Sequence, residues 1–310
     1  MKILIVCSGN SGKISPFIKE QANFLKRLNI DIEYFLIEGK GLSGYLKNYP
    51  TLKTKIKAYN PNIIHAHYGL SGMLAVLQRQ IPVIVTFHGS DLNNGGIIKA
   101  ISILASRFSK YNIFVSMKLA QNAVACQKSS VISCGVDMDY AIQLDKNICR
   151  NKLGLILDNK YILFSSAFDN PVKNYKLAQL AVGNLDNVKL IELKGYTRDE
   201  VNLLMNACDL LLVTSFNESG PLVIKEAIAC GCPVVSTDVG DAKEIIGNID
   251  GCYISDFSAD EISKKIQLIF DSGKRIDSRN RIYELELDAE SIAKKIVAIY
   301  EDCIDSNKIK

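Results

Sequence analysis

Residues 210 to 240 read LLLVTSFNESGPLVIKEAIACGCPVVSTDVG, and the rest of the chain can be organised around them. The apolar run Asp209–Ser215 has the length and composition of a buried parallel strand. A short loop, FNESG, follows it, and Pro221 suits the first position of a helix, where a missing N–H costs nothing. The N–H groups of Leu222, Val223 and Ile224 then face outward from the helix start, a ready place for a phosphate that Gly220 allows to come close. Glu226 lies one turn beyond Leu222 on the same helix face. A carboxylate there accepts hydrogen bonds from vicinal hydroxyls such as those of a ribose, and Glu218, before the helix, faces whatever is attached beyond the phosphate. The same letters also suit a plain N-cap at Ser219 with two solvated glutamates.

Outward from this unit, short β-branched runs alternate with amphipathic stretches along the whole chain, the pattern of parallel α/β units. The expected strands are KILIVCS, DIEYFLI, NIIHAHY, PVIVTFH, NIFVS and SVISCG, then YILFSSAF, NVKLIEL, DLLLVTS, CPVVST and GCYIS. Helices are expected at Ser15–Leu28, Leu70–Gln80 and Asp288–Cys303, the last with Ile292, Ile296, Val297, Ile299 and Tyr300 on a buried face. The polar segment 145–160 interrupts the rhythm. It places a domain boundary near residue 150: a first domain over 1–150, a second over 151–287, and a closing helix in 288–310. With 310 residues, two cores are the natural arrangement. Two open α/β sheets imply two rows of strand C-terminal ends, outside which ligands bind.

The composition is that of an ordinary globule, 48% hydrophobic and 23% charged. No apolar run reaches the roughly 18 residues needed to span a bilayer. MKILIVCSGNSG reads as a first strand entering a glycine turn rather than a signal peptide. Nine cysteines without C-x-x-C or metal spacing point to a reducing cytosol, buried thiols and no metal site. The net charge of +4 hides a division: residues 1–150 hold 18 Lys/Arg against 8 Asp/Glu, residues 151–310 hold 19 against 25. From Gly39 to Val136 Asp91 is the single acid among eleven bases. Such a half-chain suits an anionic partner, though a merely soluble surface fits too. Without a helix-turn-helix, RNP or zinc signature, nucleic acid is not expected. In 45–61, YLKNYPTLKTKIKAYNP, apolar residues spaced near four alternate with lysines. That fits either a helix lying on an anionic membrane or a core helix with a solvated lysine face.

All three histidines, His65, His67 and His88, fall at the ends of two neighbouring strands of the first half. The first loop, CSGNSGKISP, fails as a Walker sequence, with Cys7 where glycine and Ile14 where Ser/Thr is required, and it is no G-x-G-x-x-G. Its Gly9–Gly12 turn offers N–H groups instead. In DVGDAKEII, Asp241 and Glu244 have the spacing of a capping box.

NESGPLVIKEAIACGCPVVSTDVG resembles the E-x7-E signature of retaining glycosyltransferases of family four, and EAIACGCPVV resembles that family's E-A-x-A-x-G-x-P-V-V. The likeness extends to NIIHAHYGLSG and VIVTFHGSD and covers most of the chain. It implies a GT-B fold: two Rossmann-like, doubly wound α/β domains facing across a cleft, with the final helix crossing back to the first domain. It further implies Glu226 on the ribose, Glu218 on the donor sugar, and Leu222 and Val223 amides on the distal phosphate, beside Ser219, Gly220 and Pro221. His88 would reach the donor sugar, and Lys194, Gly195 and Tyr196 would line the base pocket. Gly12 falls on the donor side; Asn10, Ser15, His67 and Tyr68 fall on the acceptor side. In the family's G-R-x-x-x-x-K-G segment the counterpart here is SSAFDNPVKN. Lys173 fits the lysine, but Ala167 replaces the arginine, removing a permanent bidentate cation from the diphosphate. Lys243 is one candidate substitute.

The resemblance thus implies a metal-independent, retaining hexosyltransferase with no resident cofactor. It would take a nucleotide diphosphate sugar, UDP-sugar favoured, to a polysaccharide or lipid-linked saccharide in cell-envelope synthesis. Its expected place is the cytoplasm, peripheral on the inner face of the plasma membrane. Two alternatives stand beside it: a nucleotide-sugar epimerase of similar architecture, and an inactive binding or assembly subunit.

Overall fold

The computed structural model describes residues 1–93, 95–123, 128–183 and 185–308, with the side chains of 307 and 308 left aside. It divides into two compact units, Met1–Gly135 with Ala289–Lys310, and Val136–Asp288.

The first unit holds a parallel sheet of β1 (Lys2–Ser8), β2 (Asp31–Ile37), β3 (Ile63–His67), β4 (Val83–Phe87), β5 (Tyr111–Phe114) and β6 (Ser129–Val131), in the order β2-β1-β3-β4-β5-β6. The second holds β7 (Lys160–Phe164), β8 (Val188–Glu192), β9 (Leu210–Val213), β10 (Val234–Thr237) and β11 (Cys252–Ser255), ordered β11-β10-β9-β7-β8 and again parallel. Their central strands are buried on both faces, and so they read as continuous apolar runs. In each sheet the chain steps to one side after its first strand and returns on the other. The order therefore reverses between β1 and β3 in the first unit and between β7 and β9 in the second. Crevices for ligands open at such reversals, outside the C-terminal strand ends.

The boundary lies at 135/136, not near 150. The polar segment that suggested 150 contains the helix Lys146–Lys152, which is fastened to the second unit by charge rather than by an apolar face. Arg150, 3% exposed, donates from Nη2 to Asp209 Oδ2 at 3.0 Å and from Nε to Ala207 O at 3.0 Å. Lys146 Nζ donates to Asp209 Oδ1 at 2.5 Å, and the Tyr161 amide donates to Oδ2 at 2.7 Å. With the observed boundaries, the first unit carries 20 Lys/Arg against 9 Asp/Glu and the second 17 against 24, nets of +11 and −7.

The closing helix, Ala289–Lys308, belongs to the first unit. Ile292, Ile296, Ile299 and Tyr300 pack with Ile3, Ile5, Ile18 and Leu25 in one apolar cluster, and Val297 is only partly buried against it. The helix Tyr49–Tyr59 resolves the ambiguity of 45–61. It buries Leu52, Ile56 and Tyr59 in the first unit's core and leaves its lysines outside, so these apolar residues are not a membrane-facing stripe. The eight described cysteines are free thiols, all buried but Cys134, which is partly so; Cys126 lies outside the described residues. None of the described helices is long and apolar enough to cross a membrane.

Candidate active site

At the reversal of the second sheet, the segments after β7 and β9 are stitched together. Thr214 Oγ1 donates to the carbonyls of Lys173 and Asn174 at 3.0 Å each, and the Phe216 amide donates to Val172 O at 2.9 Å. Thr237 Oγ1, at the end of β10, donates to Ser215 O at 2.8 Å. These bonds place Glu218 against Lys173. Glu218 Oε1 accepts from Lys173 Nζ at 2.5 Å and from Ser215 Oγ at 2.7 Å. Both partners of the ion pair are mostly covered, 19% and 15% exposed at the side chain.

The helix beyond the loop spans Leu222–Ala229, with Pro221 at the cap position rather than as its first residue. Ser219 therefore stands two residues before the cap position and is not the N-cap. The first amides of a helix have no carbonyl within it to bond. Ile224, expected to be one of three outward donors, gives its N–H to Pro221 O at 3.1 Å. That leaves Leu222 and Val223 to open the helix. Glu226 is half-buried one turn on. Gly240, with φ +59°, presses on this loop: a Cβ there would stand 3.0 Å from Pro221 Cδ and 3.2 Å from Ser219 O. Lys243 follows three residues later, exposed. Asp241 and Glu244 form no capping box, because Asp241 makes no side-chain cap bond. Its Oδ2 lies 3.6 Å from the fully buried Lys225 Nζ, a cation that needs a counter-charge there. The capping box lies instead at Thr197 and Glu200, opening the helix Arg198–Ala207.

Before that helix, Gly195 has φ +83° and Tyr196 is 40% exposed. Lys194 Nζ meets Asp169 Oδ2 at 2.6 Å on the surface, and this hydrogen bond lowers the carboxyl and raises the ammonium in pKa. The pair joins the segments after β7 and β8.

In the first unit the histidines form a chain from the core outward. Fully buried His65 bonds Tyr300 Oη through Nδ1 at 2.6 Å and Thr86 Oγ1 through Nε2 at 2.7 Å. His67, 1% exposed, stacks on His65 with centroids 4.6 Å apart and shares a hydrogen bond with His88, Nδ1 to Nε2, at 3.0 Å. His88 emerges partly, flanked by Phe17 and Tyr68 at centroid distances of 4.8 and 4.6 Å. His67 thus supports His88 from behind instead of meeting an acceptor itself. Tyr68 has φ +71°, a strained value for a tyrosine, where the chain leaves β3. The loops after β3 and β4 are tied by Asp91, 3% exposed, whose Oδ1 and Oδ2 accept from the Gly89 and Gly69 amides at 2.8 and 3.1 Å.

The turn after β1 departs from expectation. The Gly12 N–H is taken by Gly9 O at 2.8 Å, and the Gly9 N–H by Ile37 O at 2.8 Å, so neither points outward for a phosphate. Asn10 bridges to Gly39, its amide donating to O and accepting from N at 2.8 Å each, which makes it a clamp between loops. Ser15 caps the helix Pro16–Arg27 in position but makes no side-chain cap bond. Among the described residues no group of three or more His, Cys, Asp or Glu is placed to hold a metal ion.

Burial depresses all three histidine pKa values, His65 to about 3 and His67 further helped by its two neighbours. A histidine held neutral when folded but titrating near 6.5 when unfolded destabilises the fold as pH drops below 6.5 toward 3. Denaturant titrations between pH 5 and 7 should show His65→Gln with a flatter slope than the wild type, by about 1.4 kcal/mol per pH unit at the acid end. Equal slopes would mean that His65 protonates without penalty.

Comparison with known proteins bears on both units. Residues 5–140 match the family described as Glycosyltransferase Family 4, and residues 170–285 match Glycosyl transferases group 1. These matches support a glycosyltransferase of the family-four type. The chain is 26% identical over 285 residues to the putative teichuronic acid biosynthesis glycosyltransferase TuaC of Bacillus subtilis, covering 75% of this chain and 73% of that one. In structure it resembles sucrose-phosphate synthase from Thermosynechococcus elongatus, with a TM-score of 0.85 at 16% identity over 99% and 100% of the two chains. It also resembles Anabaena HepE in complex with UDP and glucose, at 0.75 and 19% over 97% and 100%. The fold is GT-B, and the two family matches support sugar transfer. In this chain the sequence pointed to Lys173, Glu218 and the helix at Leu222, which follow β7 and β9 at one sheet reversal. It did not point to Ser215, Thr214 or Gly240. Ser215 and Thr214 sit in the apolar run of a strand end, and Gly240 acts through a backbone approach that no local pattern encodes.

Proposed function

We propose that the chain transfers a hexose from a nucleotide diphosphate sugar, UDP-sugar favoured, to a saccharide or lipid-linked saccharide acceptor with retention at the anomeric carbon. The observation that carries this reading is the meeting of Lys173, Glu218 and the helix start at Leu222 outside β7 and β9. Leu222 and Val223 amides and Lys173 would receive the diphosphate, Glu226 the ribose hydroxyls, and Glu218 the sugar hydroxyls. The base would lie near Lys194, Gly195 and Tyr196. In the reaction the sugar–phosphate bond breaks with its electron pair passing to the diphosphate. A new bond forms to the acceptor oxygen, whose proton is released. What the site must do is stabilise negative charge on the leaving group and positive charge at the anomeric centre. The reading assigns the first task to Lys173 and the amides, without a metal or a resident cofactor. With Ala167 in place of an arginine, Lys173 carries more of that burden, and exposed Lys243 is a second source of charge. His88, oriented by His67, would offer a neutral imidazole as a hydrogen-bonding group of the first unit.

A thermal-shift screen with UDP-, GDP- and ADP-sugars tests the donor class. A donor present at a hundred times its Kd adds about 2.7 kcal/mol and should raise a midpoint by about 5 °C or more. If all three families leave the midpoint unmoved at millimolar concentration, the reading fails.

A further inference from the structure

The helix Ile97–Phe108 in the first unit is turned inside out. Its buried residues are the small ones, Ser102, Ala105 and Ser106. They press against the helix Gly69–Val76, where a Cβ at Gly69 would lie 2.0 Å from Ser102 Oγ and one at Gly72 3.5 Å from Ala105 Cβ. The two hydroxyls are satisfied within the helix, Ser102 Oγ on Ile98 O and Ser106 Oγ on Ile103 O, each at 2.8 Å. The large apolar side chains point away from this contact. Ile97 is 73% exposed, Phe108 59% and Leu104 40%. With partly buried Ile101, they recur at the helical spacing of 97, 101, 104 and 108 and form one stripe about 16 Å long. Met117, 60% exposed, opens the next helix, Met117–Gln121. An exposed apolar stripe of this kind marks an interaction surface.

Charge selects the occupant. Between Leu92 and Val136 there is no Asp or Glu; Lys99 and Arg107 lie on the helix itself, Lys110 and Lys118 follow it, and Lys128, farther on, is paired with Asp302 at 3.2 Å. A second copy meeting the stripe face to face would bring the bases of two such helices together, whereas an anionic bilayer satisfies both the apolar residues and the bases on the helix and next to it in sequence. We infer that the Ile97–Phe108 face seats the first unit on an anionic membrane, with Ile97, Leu104 and Phe108 entering the acyl boundary. This goes beyond the transfer reaction. It assigns membrane contact to a different helix from the lysine-rich 45–61, whose apolar side is already used in the core.

Flotation of the full chain with phosphatidylcholine vesicles, with and without 30 mol% phosphatidylglycerol, tests it. The chain should float with the anionic vesicles and not the zwitterionic ones, and binding should weaken as salt rises. The double variant Ile97→Ser/Phe108→Ser, altered only at exposed positions, should keep the wild-type melting midpoint and lose about tenfold or more in vesicle partitioning. Wild-type partitioning in that variant, or no flotation with anionic vesicles at low salt, would overturn the inference. So would light scattering that shows a dimer abolished by the same substitutions, which would assign the stripe to a second copy. Donor thermal shifts in the variant should equal those of the wild type, so this surface can fail without the transfer reading failing.

Discussion

Replacing Glu218 with Gln is expected to lower kcat/KM for sugar transfer by about 10² to 10³-fold, with the fold unchanged. Glutamine keeps the shape and an acceptor oxygen, so the Ser215 Oγ bond, 2.7 Å in the wild type, can persist. The substitution removes the charge proposed to meet the sugar hydroxyls and the charge that fixes Lys173, 2.5 Å away. Lys173 is then left in a mostly covered position without its partner, free to swing toward the diphosphate. Donor binding should accordingly change far less than turnover. Initial rates with the accepted donor, together with far-UV circular dichroism and a melting curve, separate the two effects. Turnover within a factor of three of the wild type would remove Glu218 from the chemistry.

The largest effect on stability is expected at Asp209, which precedes β9 at the end opposite Glu218. Its carboxylate gathers Arg150, Lys146 and the Tyr161 amide, and its side chain is 7% exposed. Asp209→Ala leaves the Arg150 guanidinium buried with no counter-charge, a change of about 3–5 kcal/mol. Calorimetry should show the transition of the second unit lowered by about 10 °C. Much of that should return in the double variant Arg150→Met/Asp209→Ala, where no buried guanidinium is left unpaired and Lys146, its side chain 32% exposed, can turn to water. A loss below about 1 kcal/mol in the single variant would mean that water reaches the guanidinium.

That cluster also shows where the sequence stops being informative. All eleven strands were legible: the central ones, buried on both faces, are continuous apolar runs that need no knowledge of their neighbours, and the more exposed β2, β6 and β8 were marked by their place in the alternation with helices. The helix Lys146–Lys152 was passed over as a polar break. It is held by ion pairs to a residue about 60 positions away, and local pattern carries nothing about such partners. Helix faces posed a related problem. Periodicity found an apolar stripe in 49–59 but could not say that the core already claims it. It gave no warning that 97–108 buries serines and alanine, which are small enough to meet glycines at Gly69 and Gly72. At the candidate site, Glu218 and the three histidines stood out by their positions at strand ends, and Lys173 by the family resemblance. What each side chain bonds did not. Asn10 is an amide in an exposed turn like many ligand groups, yet both its polar atoms are committed to Gly39.

Calorimetric titration of the full chain with a nucleoside diphosphate and with its monophosphate, in the wild type and in Lys173→Met, addresses the grip on the distal phosphate most directly. The account predicts that the diphosphate binds at least about tenfold tighter than the monophosphate, the difference that one charge-assisted phosphate contact supplies, and that Lys173→Met erases most of that margin. Equal affinity for the two nucleotides in the wild type, or an unchanged margin in the variant, would contradict it.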